Sequence, residues 1–151
     1  LSDVLYSAAK DAGATVHKGG TYICIEGPQF STRAESNIYR SWGVDVIGMT
    51  NIPEAKLARE AEICYATVAL STDYDCWHTT EESVTVEMII ETLKKNVATA
   101  REIIKKAVPR IGALRGCKCA SALKYATITD PKRIPAKTME DLKPLLGKYF
   151  K

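Results

Sequence analysis

Long apolar runs are missing from this sequence. None approaches the roughly 20 consecutive apolar residues that a transmembrane helix needs. The first residues also lack the charged, apolar and small-residue regions of a secretory signal peptide. These two absences predict a cytoplasmic protein with no membrane partner. The chain begins at Leu1 rather than at Met and enters a helical pattern at once, as if the fold were entered part-way.

Cysteine is sparse and odd in number, with five residues at Cys24, Cys64, Cys76, Cys117 and Cys119. Three of them fall in or beside apolar strands, as buried free thiols of a cytosolic protein do. The spacing of Cys117 and Cys119 is not that of a zinc ribbon, and no second cysteine or histidine pair completes a site. No metal ligand is predicted, and a redox or disulfide role for this pair stays open.

An excess of charge of one sign is also missing. The 151 residues carry 21 basic and 18 acidic side chains, a net charge of +3, and the basic excess is spread along the tail. No aromatic residues are interleaved with it to stack on bases, so a nucleic-acid partner is not expected. The length and the hydrophobic fraction of 46% suit one domain over 1–151, with an ordered core over about 1–110 and a tail over 111–151.

Apolar periodicity predicts alternating strands and helices. The predicted strands cover Thr21–Ile25, Val44–Ile47 and Ile63–Leu70. The predicted helices run from a cap at Ser31 or Thr32 to about Trp42, with Glu35 as a capping-box partner of Thr32, from Pro53 to Glu62, and from Val84 to Val108. This alternation predicts an α/β fold with a mainly parallel twisted sheet flanked by helices.

A polar or glycine-bearing loop follows each predicted strand, at Glu26–Ser31, Gly48–Asn51 and Ser71–Asp75. Ligands of open α/β sheets bind at the carboxyl ends of strands, so these loops predict a small-molecule pocket. Asp73 and Asp75 share a face if the third loop stays extended. Their carboxylates could then converge on one ligand, with mutual repulsion favouring one protonated acid. Two solvated loop acids, or a helix cap, are the alternative.

Three motifs carry a family resemblance. The segments IEGPQFSTRAES (Ile25–Ser36), VIGMT (Val46–Thr50) and STDYDCW (Ser71–Trp77) together resemble the methylthioadenosine phosphorylases of the purine nucleoside phosphorylase superfamily. The similarity keeps order and spacing from about Gly20 to Ile104. It implies the C-terminal part of a nucleoside phosphorylase fold. The family's phosphate-binding glycine loop and its Arg-His phosphate pair have no counterpart in this sequence.

The resemblance implies roles for single residues. Phe30 would stack on the purine and Met49 would lie against the ribose. Asp73 and Asp75 would address purine N7 and the exocyclic amine, with Asp73 as the catalytic residue. Relatives that act on oxopurines carry Asn in place of Asp73, which favours a 6-aminopurine here. Further implied binding residues are Thr50 for phosphate or ribose, Thr72 in support of the base, and Ile47, Val86 and Ile89 around the methylthio group.

The implied activity is that of a pentosyltransferase in purine and methionine salvage. It splits methylthioadenosine with phosphate into adenine and methylthioribose phosphate. Phosphate is a co-substrate, so no metal or organic cofactor is expected, and the resemblance implies a homotrimer. The isolated chain is expected to be inactive because the phosphate site lies upstream in the family. A non-catalytic adenine-nucleoside-binding fragment and another purine nucleoside phosphorylase are the alternatives.

Overall fold

A computed structural model describes residues 1–78, 86–112 and 116–150. Its two strands are β1 (Tyr22–Cys24) and β2 (Val46–Gly48). Its helices are α1 (Ser2–Asp11), α2 (Arg33–Ser41), α3 (Glu54–Glu60), α4 (Val86–Ile111), α5 (Ala136–Asp141) and α6 (Lys143–Leu146). Two short 3₁₀ helices, Lys118–Ser121 and Pro131–Arg133, lie between α4 and α5. None of the helices described is long and apolar enough to cross a membrane.

These elements pack into two compact units. The first unit contains Leu1–Ile52 and Ala66–Leu114, and the second contains Pro53–Tyr65 and Arg115–Lys151. All three predicted loops therefore belong to the first unit. Helix α3 packs with the tail in the second unit, although the chain reaches it directly after the second loop.

The sheet of the first unit is parallel, as predicted. Tyr22 lies opposite Val46 and Cys24 lies opposite Gly48, with α2 connecting the two strands. Beyond the strands, the Ile25 amide donates a hydrogen bond of 2.9 Å to the Gly48 carbonyl. The carboxyl ends of β1 and β2 are thus held side by side, so the first two predicted loops start from one edge.

The predicted third strand, Ile63–Leu70, is wrong. The described residues of this run form no β-ladder, and Val68 and Leu70 are 40% and 37% exposed. An apolar run becomes a strand only where a neighbouring backbone supplies partners for its N–H and C=O groups. The ladder between β1 and β2 is only three residues long, and it does not extend to this segment.

The core of the first unit lies between α1 and α4. Ala8 and Ala9 of α1 pack against Ile103 and Ala107 of α4, and all four are at most 3% exposed. The small alanine side chains let the two helix backbones approach closely, which leaves few voids. The predicted long helix is confirmed from Val86 onward, whereas its first two predicted residues lie outside the described part of the chain.

Helix α2 begins at the predicted capping box. The Thr32 hydroxyl accepts from the Glu35 amide at 3.3 Å, and the Glu35 carboxylate accepts from the Thr32 amide at 2.7 Å. Without these bonds, the Thr32 and Glu35 amides would have no hydrogen-bond acceptor at the helix start. The cap fixes where α2 begins, and Ser36 follows in its first turn.

Glu62 joins α3 to the tail in the second unit. It follows α3 in the left-handed region at φ 56°, a conformation that costs energy for a residue other than glycine. Its carboxylate accepts from the Leu123 amide at 2.9 Å, from the Tyr149 hydroxyl and from the Lys148 ammonium. Only 8% of the Glu62 side chain is exposed, so these three donors replace the water that the carboxylate loses.

The Glu62 contacts predict an acid-sensitive second unit. Burial acts to raise the pKa of Glu62, but the hydrogen bonds from Lys148, Tyr149 and Leu123 outweigh it and bring the pKa from 4.5 to about 2. A carboxyl with a lowered folded pKa stabilises the fold above its unfolded pKa and loses that contribution as pH falls through the folded value. We expect the protection factors of amides in the second unit, corrected for the intrinsic exchange rate at each pH, to fall between about pH 4.5 and 2. Glu62→Gln should remove this pH dependence and Glu60→Gln, an exposed control, should keep it; identical profiles for both variants would contradict the prediction.

Candidate active site

The first and second loops meet at Gly27 and Met49. Gly27 has a left-handed φ of 72°, and a Cβ placed on it would lie 2.7 Å from the Met49 sulfur. Only glycine fits this position, both for its backbone angle and for the space that the thioether takes. Met49 is 36% exposed, so part of its side chain rests on the first loop and part faces solvent.

The third loop is anchored on α2 through Asp75. The Ser36 hydroxyl, on a residue only 2% exposed, donates to Asp75 Oδ2 at 2.5 Å. The Cys76 amide donates to Asp75 Oδ1 at 2.8 Å, so both carboxylate oxygens have a partner. Asp75 therefore connects the third loop to α2. Each of its carboxylate oxygens can still accept a further hydrogen bond.

Further contacts fix the third loop against the first. The Arg40 guanidinium of α2 lies 3.9 Å from the centre of the Trp77 ring, a cation–π contact. The Cys76 thiol lies 3.8 Å from the Ser31 carbonyl, within reach of a weak S–H···O bond. Loops one and three are thus held together at Ser31 and along one face of α2.

Helix α4 reaches the third loop through Asn96. Its side-chain amide donates to the Ser71 carbonyl at 3.0 Å. Ile89 precedes Asn96 by seven residues, two helical turns, so the two share a face of α4 and Ile89 lies on the side toward the loop. The binding role of Ile89 stays a prediction, and its side chain is 36% exposed. The predicted Val86 begins α4, and its side chain lies outside the described part of the structure.

The other predicted binding residues lie on or beside the loops, mostly facing solvent. Phe30 is 86% exposed, Thr50 is exposed, and Ile47 is half-buried in β2. Asp73 is exposed, and its Oδ1 accepts from the Thr72 hydroxyl at 2.5 Å. The two acids thus have different partners: Asp75 binds α2, whereas Asp73 binds only its neighbour among the hydrogen bonds described. Asp73 is the more available of the two to a ligand.

Sequence reasoning assigned no role to Ser36, Arg40 and Asn96. Ser36 and Arg40 are four residues apart on α2, which places them on one helix face. A serine and an arginine at this spacing, directly after the capping box, would have marked a polar contact face. Asn96 carried a weaker signal, as a polar residue beside the apolar stripe of α4.

Removing the Ser36 hydroxyl should loosen the third loop. Ser36→Ala leaves one oxygen of the half-buried Asp75 carboxylate without its donor, and such a loss costs about 1–3 kcal/mol. We expect urea unfolding to show this decrease in the free energy of unfolding. The matched control is Ser7→Ala on the exposed side of α1, which should change it by less than about 0.5 kcal/mol. Equal effects of the two substitutions would show that the Ser36–Asp75 bond does not hold the loop.

Three thiols come together in the second unit. The sulfur atoms of Cys64, Cys117 and Cys119 all lie within 4.8 Å of one another, and those of Cys64 and Cys117 are 3.0 Å apart. The fold thus adds a third thiol to Cys117 and Cys119, from a residue 53 positions before Cys117. A hydrogen bond from Cys64, together with the backbone amides of Cys119 and Ala120, lowers the pKa of Cys117 to about 7. The same contact with Cys117, together with burial, raises the pKa of Cys64 to about 11.

Comparisons with known proteins identify the family of this chain. A family model described as the phosphorylase superfamily matches residues 1–109. The chain is 66% identical over 149 residues to the S-methyl-5'-thioadenosine phosphorylase of Geobacter sulfurreducens, covering 99% of this chain and 52% of the relative. It is 55% identical to the protein of the same name from Koribacter versatilis, again over 99% of this chain and 51% of the relative.

Solved structures give the same result. A methylthioadenosine phosphorylase from an Antarctic soil metagenomic library superposes with a TM-score of 0.86 at 47% identity, covering 95% of this chain and 52% of that one. The methylthioadenosine phosphorylase of Schistosoma mansoni in complex with adenine superposes at 0.68 with 38% identity, covering 82% and 49%. The chain spans about half the length of the relatives that it matches. The loops, the parallel strands and the long helix α4 are thus parts of an established fold, and the chain belongs to the phosphorylase superfamily.

Proposed function

We propose that this chain provides the base- and ribose-binding part of a methylthioadenosine phosphorylase. The observation that carries the proposal is the union of three motif-bearing loops in one unit. The Ile25–Gly48 hydrogen bond joins the first loop to the second, and the Ser36–Asp75 bond joins the third to α2. Relatives of 66% and 55% identity bear this enzyme name, and a related structure holds adenine.

Base recognition rests on the difference between the two acids. Asp75 has both carboxylate oxygens engaged and stays an acceptor, which suits the exocyclic amine of a 6-aminopurine. Asp73 has one oxygen bonded to the Thr72 hydroxyl and is exposed, so its other oxygen is available to purine N7. Phe30 provides the aromatic face on which the purine stacks, and Met49 lies against the ribose.

The reaction is a displacement at the anomeric carbon of the sugar. A phosphate oxygen forms a bond to this carbon while its bond to purine N9 breaks, and the bonding electron pair moves onto the base. Asp73 delivers its proton to N7, so the base leaves as neutral adenine and the sugar leaves as methylthioribose phosphate. The developing negative charge exists in the transition state and not in bound substrate, so the proton donor increases the turnover number.

The remaining parts of the enzyme lie beyond this chain in our proposal. Phosphate is bound by the portion of the relatives that this chain does not cover, and phosphate is the only co-substrate, with no organic cofactor and no catalytic metal. Phe30 is 86% exposed, so the proposed purine site is open to solvent at this residue. A neighbouring subunit of a homotrimer would cover it. A cytoplasmic location in purine and methionine salvage fits the five free thiols.

The purine-stacking role of Phe30 can be tested by adenine binding to the complete protein. Phe30→Ala removes an aromatic face worth about 0.5–1.5 kcal/mol beyond the buried area, so the dissociation constant for adenine should rise at least about threefold. Isothermal titration calorimetry measures this change. Because the Phe30 side chain is 86% exposed, its removal should leave the melting temperature almost unchanged.

Phe30→Tyr is the matched control, because it keeps the ring and should bind adenine nearly as well as the native protein does. If Phe30→Ala binds adenine with native affinity, the purine does not stack on the first loop. A native affinity for adenine in both variants, with loss of binding on substitution of Asp75, would move the base site entirely to the third loop.

A further inference from the structure

We propose that Cys64, Cys117 and Cys119 form a binding site for one thiolate-preferring metal ion, for which Zn²⁺ is the reference ion. Two features of the cluster point to this. The three sulfur atoms lie within 4.8 Å of one another, and they come from two separate segments of the second unit. Soft thiolate ligands select Zn²⁺ and Cu⁺ over Mg²⁺ or Ca²⁺.

The sulfur positions match the size of such an ion. With Zn–S bonds of about 2.3 Å, tetrahedral geometry places ligand sulfurs about 3.8 Å apart. The three sulfurs are separated by distances from 3.0 Å, between Cys64 and Cys117, up to at most 4.8 Å. The tetrahedral spacing falls inside this range, so the three sulfurs are close enough together to share one ion.

Cys117 stands at the start of a 3₁₀ helix. It is the N-cap residue of Lys118–Ser121, and its backbone there is extended, with φ −76° and ψ 153°. Cys117 is exposed, so the fourth coordination position of a tetrahedral ion is open to water.

A bound ion would add to the contacts that already connect the end of α3 to the C-terminal segment. Cys64 lies four residues after the end of α3, and two residues after Glu62, which binds Lys148 and Tyr149 of the tail. Coordination of Cys64 with Cys117 and Cys119 would tie the same α3 end to a second point of the C-terminal segment. A ligand that binds only the folded form stabilises it, so Zn²⁺ should slow amide exchange in the second unit.

The separation of the sulfurs distinguishes this site from a disulfide. A disulfide requires S–S bonding at about 2.05 Å. At 3.0 Å, Cys64 and Cys117 are two unbonded thiols, and all five cysteines are free. Formation of any disulfide within the cluster would consume two ligands, so metal binding is measured with all thiols reduced.

The experiment uses the reduced, metal-free full chain and follows each thiol separately. Zn²⁺ is added, and the rate of alkylation at every cysteine is mapped by mass spectrometry. We expect binding of one Zn²⁺ per chain and at least about tenfold slower alkylation of Cys64, Cys117 and Cys119. Cys76 is exposed and lies in the first unit, so its alkylation rate should not change and it serves as the internal control. This measurement needs no mutant that could fail to fold.

Variants complete the test. Cys64→Ser, Cys117→Ser and Cys119→Ser should each weaken Zn²⁺ binding by at least about 100-fold and reduce the thiolate-to-metal charge-transfer absorption of added Cd²⁺, whereas Cys76→Ser should change neither. Absence of binding, equal protection of all five thiols, or native affinity in Cys64→Ser would each overturn the proposal. None of these readouts uses phosphorolysis, so the result is independent of the proposed reaction.

Discussion

Replacing Asp73 with asparagine is expected to lower the turnover number on methylthioadenosine by about 10²–10⁴-fold, the usual contribution of a general acid. The asparagine amide keeps a hydrogen-bond donor near N7 but has no proton to transfer to the leaving base. Asp73 is exposed and bonded only to its neighbour Thr72 among the described hydrogen bonds, so the substitution should leave the fold intact. The loss should appear in the turnover number more than in the Michaelis constant.

The substrate preference should shift as well. An asparagine amide can face the 6-oxo base without a proton mismatch, so Asp73→Asn should gain activity on inosine relative to methylthioadenosine. Steady-state kinetics of the complete enzyme on both nucleosides measures the shift. Asp141→Asn, at an exposed position on α5 of the second unit, is the control and should behave as the native enzyme. Full turnover and an unchanged substrate preference in Asp73→Asn would show that Asp73 is a solvated loop acid with no part in catalysis.

Residues 1–151 taken alone are expected to release adenine from methylthioadenosine at least about 1,000-fold more slowly than the complete enzyme. In the proposed reaction the three loops hold the base and the ribose, but attack at the anomeric carbon also needs a positioned and charge-stabilised phosphate. Positioning of two reactants and preorganised electrostatics contribute most of the rate enhancement in catalysis of this kind. We propose that the phosphate site lies in the half of the relatives that this chain does not cover.

The comparison requires two proteins, residues 1–151 and the same chain joined to the segment that its longer relatives carry. Adenine release is followed at saturating phosphate for both. Circular dichroism of residues 1–151 shows whether the sample has the helix content of the fold, so that an unfolded sample is not mistaken for an inactive one. Turnover by residues 1–151 within tenfold of the joined protein would place the phosphate site inside this chain.

Local signals in the sequence predicted those elements that are stabilised by local interactions. The Thr32 and Glu35 capping box marked the start of α2, because both of its hydrogen bonds lie within four residues. The apolar stripe of α4 was readable over several turns, since the stripe has to pack on α1. The parallel pairing of β1 and β2 followed from the intervening helix, which a parallel connection requires.

Features that depend on distant partners could not be predicted in this way. Ile63–Leu70 has strand-like composition, but strand formation depends on a neighbouring backbone that the described residues do not supply. In the thiol cluster, Cys64 contacts Cys117 and Cys119, which follow it by 53 and 55 positions. The sequence around Cys64 does not predict this contact. Likewise, the Ser36–Asp75 bond spans 39 residues. The motif of each residue could be recognised in the sequence, but the hydrogen bond between the two motifs could not be predicted.

The proposal that this chain carries the purine and ribose site of a methylthioadenosine phosphorylase is best tested by product analysis of the complete protein. Methylthioadenosine is incubated with and without phosphate, and the products are separated and identified by mass spectrometry. We expect equal amounts of adenine and methylthioribose phosphate, formed only when phosphate is present. Absence of adenine under both conditions, or release of adenine with free methylthioribose at the same rate without phosphate, would contradict the proposal.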